Sequence, residues 1–328
     1  MRPEPVDSCE VLVLVDNVSD LLSTVPQGVT GEVANVIAAG ATELSGRCLC
    51  CAQWGLSLLI TLRRGEATRT ILFDAGPEAY GILRNADRLG VDFGAVDAAV
   101  FSHGHWDHVG GMTAALERMG EANGGRPVPV HVNQGMFVRR AMRFPAGEMP
   151  MERVPSPDDL EAAGGRVVME EGPSLLADGM AYLSGDIPRV TAYEKGLPGQ
   201  IAQQPDGSWE PDPWITDERW LAVDVKGLGA IVFSACSHAG IVNVLQDARE
   251  KLAPSPLHGV MGGFHLSGAA WEAIIPETVA DMEGFGLKAI VPGHCTGWRA
   301  VQKLVERFGE AVVVPSAVGR RHRFAEPV

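Results

Sequence analysis

Residues 101–111 have the sequence FSHGHWDHVGG, which places three of the nine histidines of the chain and one aspartate within six positions. The apolar run DAAVF leads into this stretch, and two glycines end it. The run predicts a buried strand and the glycines allow a helix to begin close by, so the polar side chains lie at the carboxyl end of a strand. Imidazole and carboxylate groups at this density predict a metal site, because both bind borderline ions such as zinc, iron or manganese.

The spacing within this stretch indicates how its side chains divide between ions. In near-extended backbone, residues two apart point to the same side, so His103 and His105 are expected to bind one ion. The turn into the following helix presents Asp107 and His108 to a second ion beside the first. We therefore expect two divalent ions, with zinc as the first choice and iron or manganese as alternatives, roughly 3.5–4 Å apart and sharing one hydroxide.

Composition limits the class of partner. The 328 residues are 46% hydrophobic and 21% charged, as in a soluble globular protein, and the net charge of -14 opposes binding to nucleic-acid phosphates. We expect a small-molecule substrate and no nucleic acid. Apolar runs stay below the roughly 18 residues that span a membrane. The first run ends at Asp16 and is too short for a signal peptide, so a cytoplasmic protein without membrane association is expected. The sequence leaves a homo-oligomer open.

Short β-branched runs alternate with helical patterns along the chain. Strands are predicted for the runs CEVLVLVD, LSLLITLRR, TRTILFDAG, DAAVFSH, PVPVHV, RVVME, WLAVDVKG, GAIVFSA, HGVMGGFH, KAIVPGH and AVVVPS. Helices are predicted to start near Pro77, Gly110, Gly135, Ala239, Ala269 and Thr296. Two β-rich halves, each with its own helices, predict two sheets packed face to face with helices outside.

Residues 189–220 break this alternation, since Pro, Gly and Asp recur there while three of the seven tryptophans are retained. A long segment without regular structure is usually functional or disordered, and the aromatic content argues against disorder. We expect a lid or substrate wall in which Trp209 and Trp214 contact the substrate. The alternative is that these rings only anchor the segment to the body of the protein.

The pattern H-x-H-x-D-H at residues 103–108, with a strand before it and glycines after it, resembles the metallo-β-lactamase superfamily. The stretches FSHGHWDHVGG, DPWITDERWLAV, CSHAGIVNVL, GGFHL and GHCTG together resemble the subgroup named after dihydropterin-ribofuranosylaminobenzene-phosphate synthase, which works in tetrahydromethanopterin biosynthesis. The likeness extends from about Val11 to the last helix. It implies an α+β fold, a four-layer αββα sandwich formed by residues 1–328 as a single domain, with a lid-like insertion at about 189–220.

The resemblance also implies ligands from later strand ends. His294 follows a strand in such a setting and is a candidate ligand. The bridging aspartate of the superfamily is missing, and Cys236 stands near its place. A thiolate that bridges and a thiol that merely packs are both open. The G-H-T histidine of the first ion is also missing, so His238 is assigned there instead, with Asp186 as a weaker candidate.

Further residues complete the expected site. Asp74 resembles the early aspartate that orients a ligand histidine through its distal N–H, and Cys236 is placed with it behind the ligands. His265 is expected to contact the substrate or the transition state. Asp16 and Asn17 end the first strand and either line the same cleft or form a polar turn. His322 is expected to be a solvated residue near the end of the chain.

The resemblance implies a binuclear metallohydrolase. In it, a bridging hydroxide attacks an ester, lactone or phosphodiester, Asp107 holds the second ion and orients the nucleophile, and His265 donates to the developing oxyanion. The alternative is a transferase that joins a dihydropterin-methyl pyrophosphate to ribofuranosylaminobenzene phosphate. Both use the same ligands, and in the transferase the aromatic lid stacks the pterin.

Overall fold

Strands and helices alternate in the computed structural model, which describes residues 1–326. The strands are β1 Ser8–Val15, β2 Val29–Thr30, β3 Ser57–Arg64, β4 Ala67–Phe73, β5 Ala98–Val100, β6 Val128–Val132, β7 Arg140–Phe144, β8 Gly147–Pro150, β9 Gly165–Met169, β10 Ser174–Leu176, β11 Ala181–Leu183, β12 Gln200–Gln203, β13 Trp209–Pro211, β14 Leu221–Val225, β15 Gly229–Ser234, β16 Leu257–Gly263, β17 Ala289–Gly293 and β18 Arg321–Ala325. The helices are α1 Glu32–Ala38, α2 Ala79–Arg88, α3 Trp106–Val109, α4 Met112–Asn123, α5 Pro157–Ala162, α6 Ile241–Leu252, α7 Ala269–Glu272, α8 Ile275–Met282 and α9 Trp298–Phe308. None of these helices is long and apolar enough to cross a membrane.

The strands form two large sheets, each with a parallel part. Sheet 1 has the order β2-β18-β1-β3-β4-β5-β6-β9, and sheet 2 has the order β10-β11-β14-β15-β16-β17. In sheet 1 the strands β4, β5, β6 and β9 are parallel, and in sheet 2 the strands β15, β16 and β17 are parallel. Parallel neighbours need crossover connections, and most of the longer helices occupy them.

Three apolar clusters define the layers. Ile60 and Phe73 of sheet 1 pack against Val223 and Phe233 of sheet 2 in the central core. On the outer face of sheet 1 the second cluster includes residues of α2 and α4, and on the outer face of sheet 2 the third includes residues of α6, α8 and α9. This order of helix, sheet, sheet and helix confirms the predicted α+β fold and four-layer αββα sandwich.

The segment 189–220 is more regular than the sequence predicted. Strands β12 and β13 form a hairpin that pairs with β7, and β7 pairs with β8, giving a third, small sheet. The helix predicted to start near Gly135 was wrong, because the chain makes only a 3-10 turn at Gln134–Phe137 before β7. The assignment of the whole chain to one domain with this insertion stays a prediction.

The end of the chain also differs from expectation. The run AVVVPS forms only an isolated bridge at Val313, and the last strand is β18. Within β18, His322 pairs with Val11 of β1 on one side and Val29 of β2 on the other. Its side chain is 2% exposed, so the expectation of a solvated residue was wrong.

We expect His322 to make the fold sensitive to acid. Burial, with a smaller effect of Arg320, lowers the pKa of His322 from 6.5 to about 4. Between these values the unfolded chain binds a proton that the folded chain does not bind, so stability falls as the pH drops below 6.5. Urea unfolding at pH 7 and pH 4.5 should show that His322→Leu avoids roughly 2–3 kcal/mol of the loss seen in the wild type. Equal losses in the two proteins would contradict this explanation.

Candidate metal and active site

The polar residues singled out in the sequence lie at the carboxyl ends of parallel strands. Asp74 follows β4, and the stretch 101–111 follows β5 directly. In sheet 2, Cys236, His265 and His294 follow β15, β16 and β17. Because the carboxyl ends of parallel strands lie at the same edge of a sheet, the two packed sheets bring these residues to one edge of the sandwich.

The backbone at this edge is strained. Four non-glycine residues there have a left-handed backbone, namely Asp74 (φ 59°), Ser237 (φ 58°), His265 (φ 46°) and His294 (φ 47°). Each such conformation costs on the order of 1–3 kcal/mol and persists only where surrounding contacts fix it. Strain of this kind is concentrated at functional sites, so the turns support the assignment of this edge as the active site.

The stretch 101–111 packs against its neighbours with almost no spare room. A Cβ on Gly104 would lie 2.1 Å from the carbonyl oxygen of Met136, and one on Gly110 would lie 1.9 Å from that of Pro77. Only glycine permits these approaches. The glycines around the histidines therefore allow the loop to lie directly against neighbouring backbone.

Three histidines form one group of potential metal ligands. A ring nitrogen from each of His103, His105 and His238 lies within 4.8 Å of the others, and all three side chains are buried. The His103 and His105 ring centroids are 4.5 Å apart, and each is 4.8 Å from that of His238. The structure therefore brings the histidine after β15 to the pair after β5.

Asp107, His108 and His294 form a second group within the same 4.8 Å limit. Asp107 Oδ2 lies 3.5 Å from His294 Nε2 and 3.9 Å from His108 Nε2. The ring centroids of His103 and His108 are 4.4 Å apart, so the two groups are adjacent. Each group takes two side chains from the loop after β5 and one from sheet 2.

A hydrogen-bond network behind the histidines fixes their tautomers. Ser102 Oγ donates to Asp74 Oδ2 at 2.6 Å, so this hydroxyl accepts the Nδ1–H of His103 at 2.8 Å. The Nδ1–H of His108 donates to Asp74 Oδ2 at 2.8 Å. Both rings are thereby left with an unprotonated Nε2, the form that binds a metal, and Asp74 contacts a predicted ligand through its distal nitrogen.

Two polar residues that the sequence analysis missed position the remaining histidines of the first group. Gln200 Oε1 accepts from His105 Nε2 at 2.6 Å, and Glu218 Oε1 accepts from His238 Nδ1 at 3.0 Å. Glu218 also accepts the backbone N–H groups of His238 and Ala239. Both residues belong to the segment 189–220, which therefore braces the predicted ligands. The only sequence signal was the stretch DPWITDERWLAV, which contains Glu218.

A buried ion pair between β7 and the segment 189–220 also holds the loop after β5. The Arg140 guanidinium pairs with Asp217, and its Nε lies 2.9 Å from Asp212 Oδ2. Asp217 Oδ2 accepts the backbone N–H of Gly104 at 2.8 Å. Arg140 Nη1 donates to the carbonyl of Gly104 at 3.2 Å, so both backbone groups of this glycine are fixed.

Burial keeps most of the histidines neutral. It lowers the pKa of His105 and of His238 to about 3, and it lowers the pKa of His103 and His294 as well. Burial acts in the same direction on His108, but the carboxylates of Asp107 and Asp74 outweigh it and raise the pKa of this ring. Neutral imidazoles offer lone pairs, which suits them to bind cations at neutral pH.

The residues present fit a divalent-metal centre. Both ring nitrogens of His294 are buried and without a hydrogen-bond partner among residues 1–326. Buried polar groups are normally satisfied, so an imidazole without a hydrogen-bond partner beside a carboxylate fits a position for a cation. Imidazole nitrogen and carboxylate oxygen are the ligands that zinc and related ions use.

Asp16 and Asn17, for which a position in the cleft and a polar turn were both open, contact the backbone of His294. Asp16 is fully buried, and its Oδ1 accepts the N–H of His294 at 3.3 Å. Asn17 Nδ2 donates to the carbonyl of His294 at 3.0 Å. Burial raises the pKa of Asp16 to about 6. The pair therefore holds the strained turn that carries His294.

Trp209 and Trp214, the predicted aromatic wall, do not line the cavity beside His238, and their contact with a substrate stays a prediction. Trp209 lies in the hairpin strand β13, and Trp214 is 42% exposed. The cavity beside His238, of about 220 Å³, is lined by the aromatic and aliphatic residues Tyr193, Phe264, Leu266, Trp271 and Ile274 and by the polar residues Glu194, Lys195, Ser237 and His265.

Asp186, the weaker ligand candidate, lies outside the donor groups. Its side chain is 73% exposed, and its carboxylate pairs with Arg189 at 3.4 Å. A solvent-exposed carboxylate outside the donor groups is not positioned to share an ion with the buried imidazoles. His238 therefore stays the candidate ligand in place of the missing G-H-T histidine of the superfamily.

Comparison with known proteins agrees with this geometry. Residues 69–167 match the family model of the beta-lactamase superfamily domain. The 7,8-dihydropterin-6-methyl-4-(beta-D-ribofuranosyl)-aminobenzene-5'-phosphate synthase of Methanocaldococcus jannaschii is 31% identical over 263 residues, which cover 79% of this chain and 86% of that protein. The chain belongs to the metallo-β-lactamase superfamily. Within the superfamily it resembles the subgroup of that synthase.

Solved structures show the same metallo-β-lactamase fold. A metal-dependent hydrolase of the β-lactamase superfamily matches with a TM-score of 0.70 at 22% identity, covering 97% of this chain and 100% of that one. The metallo-β-lactamase fold protein YhfI of Bacillus subtilis matches with a TM-score of 0.51 at 10% identity and the same coverage. At these identities the likeness shows the fold alone. Together with the synthase relative, it makes this chain an enzyme of the metallohydrolase fold, with hydrolase and synthase-like chemistry both open.

Proposed function

We propose that this enzyme is a hydrolase that uses two divalent cations to cleave a small-molecule ester, lactone or phosphodiester. The observation that carries the proposal is the contact between two donor groups, each built from both sheets. Zinc is the expected ion, with iron and manganese as alternatives. The proposed ligands are His103, His105 and His238 for the first cation and Asp107, His108 and His294 for the second.

Divalent cations in such a centre supply Lewis acidity and make a water nucleophile available at neutral pH. The chain itself orients the reactants. Asp107 is 8% exposed and its carboxylate lies beside the rings of His294 and His108, so it can accept a hydrogen bond from the attacking water. His265 lies 4.5 Å from His238 between ring centroids, and its Nδ1 has no partner among residues 1–326. We assign His265 to donate to the charge that develops on the substrate oxygen.

The cavity beside His238 indicates the kind of substrate. Its volume of about 220 Å³ is below the roughly 300–1,000 Å³ of a pocket for a whole drug-sized ligand, so it accepts one ring or side group. Trp271 stands edge-on to His265, with ring centroids 4.9 Å apart, and its Nε1 donates to the carbonyl of Gly196 at 3.1 Å. This fixed aromatic wall favours a planar or apolar group next to the reacting bond.

A second candidate is the transferase that joins a dihydropterin-methyl pyrophosphate to ribofuranosylaminobenzene phosphate. It is supported by the 31% identity to a protein named as that synthase, over 86% of its length. The same donor residues would then face the pyrophosphate leaving group, and the aromatic cavity would hold the pterin ring.

The two candidates separate in one set of assays. The purified enzyme is analysed for metals and then tested with a lactone, an aryl phosphodiester and an aryl ester. It is also tested with the pterin pyrophosphate plus the ribosylaminobenzene phosphate, with products identified by mass spectrometry. Hydrolysis that chelation abolishes and zinc restores supports the hydrolase. A coupled pterin product without hydrolysis supports the transferase, and an enzyme that binds no metal excludes both.

Trp271→Ala is expected to reduce the preference for aromatic substrates. Trp271 is partly buried, and losing its contact with a substrate ring, worth roughly 1.5–3 kcal/mol, should lower kcat/KM for a phenyl ester or phosphodiester by about 10–100-fold. The corresponding methyl substrate should change much less. Trp298→Ala is the matched control, because Trp298 begins α9 and is 67% exposed. Equal decreases for phenyl and methyl substrates would show that the ring does not select the substrate.

A further inference from the structure

Two buried thiols lie against the proposed metal centre. Cys236 and Cys295 are each 3% exposed, and their sulfur atoms are 3.4 Å apart. This separation is longer than the roughly 2.05 Å of a disulfide, so both are free thiols. Cys236 Sγ also lies 3.2 Å from His108 Nε2, the ring nitrogen that the Asp74 hydrogen bond leaves unprotonated.

Cys236 belongs to more potential donor groups than any other residue of the described chain. It joins one group with His103 and His108, a second with His238 and His265, and a third with His294 and Cys295, each within 4.8 Å. Its sulfur therefore lies between the two histidine groups, and Cys295 extends the second group on the side of His294.

We propose that Cys236 and Cys295 are sulfur ligands of this centre, Cys236 between the two cations and Cys295 together with His294. The inference rests on the proposed two-cation function. Two sulfurs that are each about 2.3 Å from one zinc ion, at an angle of about 110°, lie roughly 3.8 Å apart, so the observed pair needs to separate only slightly. Binding of the ion breaks both S–H bonds, and the two protons leave to solvent while the thiolates keep the electron pairs.

The packing around Cys295 is consistent with a fixed sulfur position. A Cβ on Gly263 would lie 2.7 Å from Cys295 Sγ, so glycine at the end of β16 makes room for this thiol. Ser237, the strained residue next to Cys236, donates through Oγ to the carbonyl of Gly263 at 2.7 Å. The same glycine thus joins the turns that carry the two cysteines.

Sulfur ligands change which ion the centre selects. Thiolates favour zinc over harder ions such as manganese and magnesium. We therefore infer a preference for zinc over manganese that a centre of imidazoles and carboxylates alone would hold less strongly. Replacing Cys236 by serine should reduce that preference by roughly 10–100-fold in a competition measurement.

Cobalt substitution tests the proposal by a readout other than activity. The apoprotein is loaded with Co²⁺, bound metal is counted, and the near-ultraviolet absorbance from thiolate-to-cobalt charge transfer is recorded. The wild type should show this band. Cys236→Ser should lose about two-thirds of it per bound cobalt and Cys295→Ser about one-third, since the proposal gives Cys236 two of the three cobalt–sulfur bonds and Cys295 one. Cys9→Ser, a buried cysteine in β1, is the control and should leave it unchanged.

The wild-type spectrum alone can overturn the inference, whether or not the variants fold. Cobalt bound without the band overturns the inference and leaves the metal centre intact, as does a band that survives in both variants. A wild-type protein that binds no cobalt overturns the inference together with the proposed function.

Discussion

His103→Ala is expected to yield a folded protein that loses bound metal and turns over its substrate on the order of 10³-fold more slowly, or not at all. His103 belongs to two donor groups, and its ring lies within 4.8 Å of those of His105, His108 and His238. Its removal should therefore deprive the proposed first cation of a ligand and disturb the proposed second one. Elemental analysis and kcat, measured beside a circular dichroism spectrum, check this prediction.

The control is His258→Ala. His258 lies at the amino end of β16, whereas the proposed site lies beyond the carboxyl end of the same strand. Metal content and turnover should match the wild type. If His103→Ala retained its full complement of metal, the assignment of this histidine as a ligand would have to be withdrawn.

Asp107→Asn is expected to remain folded, to bind one cation fewer and to lose roughly 10²–10³-fold in turnover. The amide has nearly the same size as the carboxylate but carries no charge. Asp107 Oδ2 faces His294 Nε2 at 3.5 Å and His108 Nε2 at 3.9 Å, so the charge lies where the second cation is proposed. Bound metal per chain and kcat, measured with saturating zinc, give the result.

Asp186→Asn is the matched control, because the same chemical change is made on an exposed carboxylate that was once a candidate ligand. It should leave metal content and kcat unchanged. Full activity of Asp107→Asn would count against a two-cation mechanism. Loss of metal in Asp186→Asn would show that Asp186 is a ligand.

The part of the site that the sequence predicted depends on local order. His103, His105, Asp107 and His108 are close in space because a buried strand ends just before them, and both features are visible in one short stretch. His294 follows another strand in the same way. Since parallel strands end at one edge of a sheet, local patterns and the family resemblance were sufficient to place these donors together.

The residues that position those donors could not be predicted in this way. Gln200, which contacts His105, lies 95 residues further along the chain. Glu218, which contacts His238, lies just before β14, whereas His238 follows β15. Strand β8 is exposed along its whole length, so it lacks the alternation that marks a half-buried strand. Such contacts depend on how the small third sheet packs, and nothing in the periodicity of the chain specifies that.

Each proposed cation takes two ligands from the loop after β5 and one from sheet 2. Neither half of the polypeptide alone holds a complete set, so an ion in either position links the two sheets directly. A ligand that binds only the assembled fold adds its binding free energy to the free energy of unfolding. Scarcity of the metal would then lower the melting temperature of this enzyme along with its catalytic rate.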